Sequence, residues 1–191
     1  MRIVAGKFGS RTIHSLRGLA LRPTSDRVRE TLFNILGTLI EGALFVDVYA
    51  GTGAVGIEAL SRGADEVIFI ENHPAAVTLI RKNLSSLEIR NEFEILAKDA
   101  VKGLEHLASR RFGGTLQADI IFLDPPYAEL HEYAHVLDFL DRSHLLARNG
   151  RVIVEHARRM ALPEHLARLE RARLVEQGDT ALSFYRRALA A

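Results

Sequence analysis

Four apolar runs between residues 44 and 124 each stop at or beside an acid, and that repetition leaves very few folds open. Leu44–Tyr49 contains Asp47, Glu66–Glu71 ends on Glu71, Glu92–Ala97 leads to Asp99, and Ala118–Leu123 leads to Asp124. The runs are short and rich in β-branched and aromatic residues. Apolar positions at helical spacing separate them, such as Val77, Ile80, Leu84 and Leu87 after the second. Runs of that composition suit strands buried on both faces, and strands alternating with helices require parallel pairing and right-handed crossovers. The expected fold class is α/β: a Rossmann-like sheet of seven strands, mostly parallel, with helices on both faces. Helices are also predicted from Thr24 or Ser25 through Leu39, over 101–108 and over 130–141, and a strand over 151–155. Arg173–Gln177, a Gly178-Asp179 turn and Ala181–Arg186 read as a closing hairpin that adds one antiparallel strand. Ligands of such sheets bind beyond the carboxyl ends of the strands, so all four acids would share one rim.

The fourth run ends most abruptly, in Asp124-Pro125-Pro126-Tyr127. Pro125 has no N–H for a ladder, and Pro126 forces the residue before it into an extended shape. The result is a stiff tip presenting the Asp124 carboxylate, two constrained carbonyls and the Tyr127 ring. That set suits methylation of the exocyclic amine of a nucleobase. Such an amine is a poor nucleophile because its lone pair is delocalised into the ring. Acceptors on both N–H bonds, here Asp124 and the Pro125 carbonyl, would draw it towards tetrahedral geometry and stabilise the charge that develops. Tyr127 would stack on the base.

Asp47-Val-Tyr49-Ala-Gly51-Thr-Gly53-Ala-Val-Gly56 lies between the first core strand and its helix. Gly51 and Gly53 permit positive φ and close approach of backbone to a ligand, and Gly56 permits tight helix–strand packing. The same glycines fit a dinucleotide fingerprint, with Glu71 20 residues past Gly51. Asp47 argues against pyrophosphate and for a cationic ligand, an ammonium or sulfonium such as S-adenosylmethionine carries. Glu71 can then take ribose hydroxyls and Asp99 the adenine amine. Tyr49, Asn72 and Ala100, adjoining these positions, complete the candidate cofactor-binding set.

Charge separates the start of the chain from the rest. The first 30 residues hold Arg2, Lys7, Arg11, Arg17, Arg22, Arg27 and Arg29 against Asp26 and Glu30, while the whole chain is only +1. A basic segment on a mildly acidic body fits a polyanionic partner, and equally a solvated terminus. Residues 2–16 read as a short basic hairpin, and Arg27, Arg29 and Asn34 could face substrate or water. There is no cysteine, which excludes disulfides, thiolate metal sites and a cysteine nucleophile. No signal-peptide core and no membrane-length apolar run is present, so a cytoplasmic protein is expected.

Asp47–Gly56, Glu71, Asp99 and Asp124-Pro-Pro-Tyr127, in that order, resemble the class I methyltransferases that act on amines. The opening Met1-Arg-Ile-Val-Ala-Gly-Lys7, the block Leu21–Asn34, Glu58–Ala64 and Gly178–Arg187 resemble the RsmD family in particular. That resemblance implies a Rossmann-like class I methyltransferase domain over 21–191 behind a basic hairpin extension over 1–20. It implies S-adenosylmethionine as cofactor and N2 of one guanine in 16S ribosomal RNA, within the small ribosomal subunit, as target. Asp47, Gly51, Gly53, Glu71 and Asp99 would bind cofactor, and Asp124, Pro125, Pro126 and Tyr127 would form the catalytic tip. Thr24, Arg27 and Arg29 would border the substrate, with Arg2, Lys7, Arg11 and Arg22 on its phosphates. A single chain with no metal and no membrane partner is expected. The family often has Phe-Ala-Gly-Ser where this chain has Tyr49-Ala-Gly-Thr52.

Three rivals carry sequence support of their own. N6-adenine methylation uses a similar tip, but only 24 residues separate Asp99 from Asp124, too few for an inserted target-recognition segment. A binding module without catalysis would need neither the Pro-Pro tip nor four rim acids. His131-Glu132-Tyr133-Ala134-His135 matches the H-E-x-x-H pattern of zinc hydrolases. Leu130, Tyr133, Leu137 and Leu140 define the expected buried stripe of that helix, which leaves both histidines on a polar row with no third ligand.

Overall fold

Seven strands lie among the described residues, the first five alternating with helices as the apolar runs require and the last three following one another directly. In the computed structural model, which describes residues 1–15, 24–110, 116–126 and 129–188, they divide between two units, Met1–Asp99 and Ala100–Ala191. The first unit holds α1 (Asp26–Leu36), β1 (Leu44–Val48), α2 (Ala54–Ser61), β2 (Glu66–Ile70), α3 (Pro74–Ser86) and β3 (Phe93–Leu96). Its strands run parallel in the order β3-β2-β1. The register sets Val48 beside Ile70 and Ile70 beside Leu96, so all three strands stop at one rim. Phe45, Val46, Val67 and Phe69 are wholly buried, each stabilising the fold by roughly 1.5–3 kcal/mol. A Cβ on Gly56 would lie 2.3 Å from Phe69 Cε1 and 2.8 Å from Val67 Cγ1. Helix α2 therefore packs on β2 too closely for any side chain there, as the sequence predicts.

The second unit holds α4 (Ala100–Ala108), β4 (Ala118–Leu123), α5 (Leu130–Arg142), β5 (Leu146–Ala157), β6 (Leu169–Gln177) and β7 (Thr180–Arg187). Its strand order is β4-β5-β7-β6, with β4 and β5 parallel and β7 running against both neighbours. This is the one antiparallel strand expected, and Gly178 turns the β6–β7 hairpin at φ +63°.

Several boundaries differ from expectation. Ser25 caps α1 by accepting from the Val28 amide, but Gly37 adopts φ +53° and ends the helix. Leu39, expected on the packed face, falls in a 3₁₀ turn and is 50% exposed. Leu130 occupies the first helical position of α5, ahead of the packed stripe, and is 63% exposed. Strand β5 starts five residues earlier than predicted, and an irregularity in the β4–β5 register falls between Leu146 and Arg151. Strand β6 starts four residues early because the Asp141 carboxylate accepts from the Ala167, Arg168 and Leu169 amides. Arg17, Arg22 and Tyr127 lie outside the described residues.

Candidate functional site

The glycine turn after β1 is built from three left-handed residues, Tyr49 at φ +65°, Gly51 at +54° and Gly53 at +76°. A tyrosine in that conformation is strained by about 1–2 kcal/mol, and such strain concentrates at functional sites. Gly53 is the N-cap of α2 and has no side chain to satisfy the helix's first amides. Asp47 supplies the missing acceptor from the strand: its Oδ2 takes the Gly56 N–H at 2.9 Å. Glu71 holds the same turn from the next strand, Oε2 accepting from the Gly51 amide at 2.7 Å and Oε1 from the His73 amide at 2.8 Å. Asn72 then donates to Asp99 Oδ1 at 3.0 Å. Three separate hydrogen-bonded links thus hold five residues predicted from sequence, Asp47, Gly51, Glu71, Asn72 and Asp99, within the first unit. Ala100 begins α4 in the second unit.

Burial pushes the Asp47 carboxyl up to about 8, the Gly56 amide pulls against that shift, and the Glu71 carboxylate adds to it. An unfolded aspartate titrates near 3.8, so the folded state keeps a proton the unfolded chain has released. That contribution is complete below about pH 3.8 and is lost as pH rises through about 8. Between pH 5 and pH 8 the wild-type melting temperature should therefore fall more than that of Asp47→Asn, which keeps the Gly56 contact without the titration. Parallel slopes for the two proteins would contradict this.

The basic N-terminal segment is docked rather than loose. Arg2 and Thr12 form an antiparallel bridge, as the predicted hairpin requires. A Cβ on Gly6 would meet the Ser61 carbonyl oxygen at 1.9 Å, so the turn lies directly on α2. Glu58 accepts from the Val4 and Ala5 amides at 2.7 and 3.0 Å. Asn83 accepts from the His14 amide at 2.8 Å and donates to the carbonyls of His14 and Thr52 at 3.1 and 3.0 Å. One buried amide side chain thereby ties this segment to the glycine turn.

Arg29 sits in the same place and is wholly buried, donating to the Arg2 carbonyl and to Asp26, with Nη1 3.8 Å from Glu58 Oε2. A guanidinium so enclosed organises the segment and cannot reach a phosphate, so its expected place bordering the substrate is corrected. Thr24 is buried as well. Arg2, Lys7, Arg11 and Arg27 remain exposed. Glu58 and Asn83 were not predicted; the available signal was a charge in the otherwise apolar Ala54–Ser61 helix and an amide on the packed stripe of α3.

In the second unit, Asp124 follows β4 half-buried, Pro125 is buried and Pro126 exposed. The Tyr133 hydroxyl donates to the Pro125 carbonyl at 3.2 Å. Tyr133 is itself buried on α5, so the residue inside the H-E-x-x-H pattern anchors the tip. Among the described residues, the one group able to gather around a cation is Glu129, His131 and Glu132, with ligand atoms within 4.8 Å. His135 is not in it; its ring meets that of His131 edge-on. No helix among the described residues is long and apolar enough to cross a membrane.

The conserved hypothetical protein 95 family matches residues 1–186. Over 98% of its length the chain is 33% identical to ribosomal RNA small subunit methyltransferase D of Escherichia coli, covering 90% of that protein. It is 34% identical to YlbH of Bacillus subtilis over 98% of this chain and 99% of the other. The solved structure of yhhF from Escherichia coli superposes with a TM-score of 0.84 at 29% identity, covering 100% of this chain and 99% of that one. The architecture is accordingly the Rossmann-like fold of class I methyltransferases.

Proposed function

The chain belongs to the RsmD (conserved hypothetical protein 95) family, and from that premise we propose an S-adenosylmethionine-dependent ribosomal RNA methyltransferase acting on the N2 amine of one guanine in 16S ribosomal RNA. The residues of the glycine turn fit the cofactor. Left-handed Gly51 leaves room for close approach, since a Cβ there would meet nothing nearer than 3.9 Å, whereas a Cβ on Gly53 would press on Ile80 at 3.2 Å. Each Glu71 oxygen accepts one amide and retains a lone pair for a ribose hydroxyl. Asn72 and Asp99 are exposed beside it for the adenine, with Tyr49 and Ala100 flanking the set. Asp47, neutral when its proton is held, ionises more readily beside a cation. Bound there, S-adenosylmethionine supplies an electrophilic methyl group on a sulfonium.

The chain's own contribution is to present the amine. A guanine extruded from its stack would place its N2 hydrogens against the Asp124 carboxylate and the Pro125 carbonyl, with Tyr127 against its face. Both acceptors strengthen as N2 gains positive charge, so they favour the transition state over the ground state. The proton that N2 sheds passes to the Asp124 carboxylate. Arg2, Lys7, Arg11, Arg22 and Arg27 would engage phosphates, which makes binding sensitive to salt. The assembled small subunit would be the substrate and a single chain in the cytoplasm the working form, needing no metal.

The observation that supports this most is the anchored tip, a Pro125 carbonyl fixed by a buried tyrosine immediately after a candidate acidic acceptor. Removing that anchor in Tyr133→Phe should lower kcat about 2- to 10-fold, from the roughly 0.5–1.5 kcal/mol of one hydrogen bond. KM for the cofactor should not change; an unaltered kcat would show that the anchor is dispensable. The activity itself is tested with methyl-labelled cofactor and small ribosomal subunits lacking the modification, followed by mass mapping of nucleosides. N2-methylguanosine at one site is the expected product. N6-methyladenosine, or no incorporation, would refute it.

A further inference from the structure

On the first unit, a groove of about 260 Å³ opens between the end of α3 and the start of β3, lined by Arg81, Ser85, Glu88, Ile89, Arg90 and Phe93. We infer that it holds one nucleotide of the RNA strand, away from the modified base, a reading that rests on the RNA methyltransferase assignment above. Arg81 and Arg90 are exposed and make no hydrogen bond or ion pair among the described residues. Two unspent guanidinium groups across one groove attract an anion. Phe93 is half-buried and Ile89 buried, giving an apolar wall against which a base can stack. Glu88, held at φ +62°, adds an acceptor that repels a bare anion but suits the N–H donors of a base. Phosphate, flat apolar surface and N–H donors together describe a nucleotide better than inorganic phosphate.

The groove is also continuous with the basic N-terminal turn. Arg11 donates to the Ser86 carbonyl at the end of α3 at 2.8 Å, and Lys7 pairs with Glu92 at 3.5 Å. Lys7 and Arg11 both lie near the Phe8 ring, at 5.0 and 6.0 Å from its centroid. A strand crossing that turn reaches Arg81 and Arg90 over a surface where Lys7, Arg11, Arg81 and Arg90 outnumber the carboxylates Glu88 and Glu92.

The test is the double variant Arg81→Ala/Arg90→Ala, compared with Arg159→Ala/Arg173→Ala, which removes two exposed arginines from the other unit. Affinity for 16S ribosomal RNA is measured across a salt series, with cofactor affinity and melting temperature alongside. The groove variant should lose about tenfold in RNA affinity at low salt. Its log–log salt slope should become shallower by about 0.7, the value for the one single-strand phosphate the two arginines share. The control variant should lose far less, and cofactor affinity and melting temperature should stay put in both. Unchanged affinity and slope, or an equal loss in the control, overturns the groove. Methyl transfer by wild-type protein in the same preparation would then leave the activity standing. Wild-type protein that transfers no methyl group to RNA overturns that assignment, and the groove with it.

Discussion

Asp124→Ala should lower single-turnover methyl transfer by about 10²-fold or more while cofactor affinity stays near wild type. The magnitude follows from losing one preorganised transition-state partner, which typically costs about 10²–10³ in rate. Asp124 stands half-buried directly after β4, where water screens a charge less than on an open surface. Alanine removes both the acceptor on the amine and the destination of its proton. The Pro125 carbonyl stays in place on Tyr133, so some acceleration from positioning should survive. Asp124→Asn should fall between the two proteins, because an amide oxygen still accepts one N–H but takes up no proton. The cofactor-binding candidates Asp47, Glu71, Asn72 and Asp99 make their hydrogen bonds within the first unit, which is why binding should persist. Near-wild-type turnover by Asp124→Ala would remove this carboxylate from the chemistry.

The core strands were legible because each is buried on both faces, and double burial leaves an uninterrupted apolar run such as Ala118–Leu123. Where burial is one-sided or pairing irregular the trace fades. Leu146–Gly150 and Leu169–Ala172 have no alternation, and they became strand through bonds from β4, β7 and Asp141. Leu39 kept helical spacing but lost its helix to Gly37, a glycine whose left-handed φ no periodicity announces. The rim acids were equally visible, since a carboxylate closing an apolar run is conspicuous. Their second duties were not. Asp47 caps α2 and Glu71 clamps Gly51, bonds that span 9 and 20 residues and depend on strand register. Arg29 shows the limit most plainly. On the sequence it is one of seven basic residues in a basic segment, yet of the five that are described it is the one turned fully inward, towards an acid 29 positions away on α2. Charge counts report how many cations a segment carries, and only packing decides which of them face solvent.

That inward pair sets the largest stability effect. Glu58→Ala should destabilise the fold by about 3–5 kcal/mol, the usual range when one partner of a buried ion pair is deleted. Glu58 is wholly buried and accepts from Val4, Ala5 and the Arg62 Nε at 2.7, 3.0 and 2.8 Å. Its loss strands two backbone amides and leaves the enclosed Arg29 with Asp26 as its one remaining carboxylate among the described residues. Arg29 has little reserve, because its Nε and Nη1 already lack hydrogen-bond partners among the described residues. Much of the cost is therefore the two stranded amides and a buried cation deprived of one of its two carboxylates, which separates this pair from a surface ion pair worth about 0–1 kcal/mol. Adding Arg29→Met should restore part of the loss, since a buried pair replaced on both sides by apolar side chains is often nearly neutral. Urea denaturation of the wild type, Glu58→Ala and the double variant measures all three, and amide exchange at Val4 and Ala5 reports whether the segment has come away from α2. A loss below about 1 kcal/mol, or a double variant weaker than Glu58→Ala alone, would show that the basic segment is held by its turn contacts at Gly6 and Ser61 rather than by this charge.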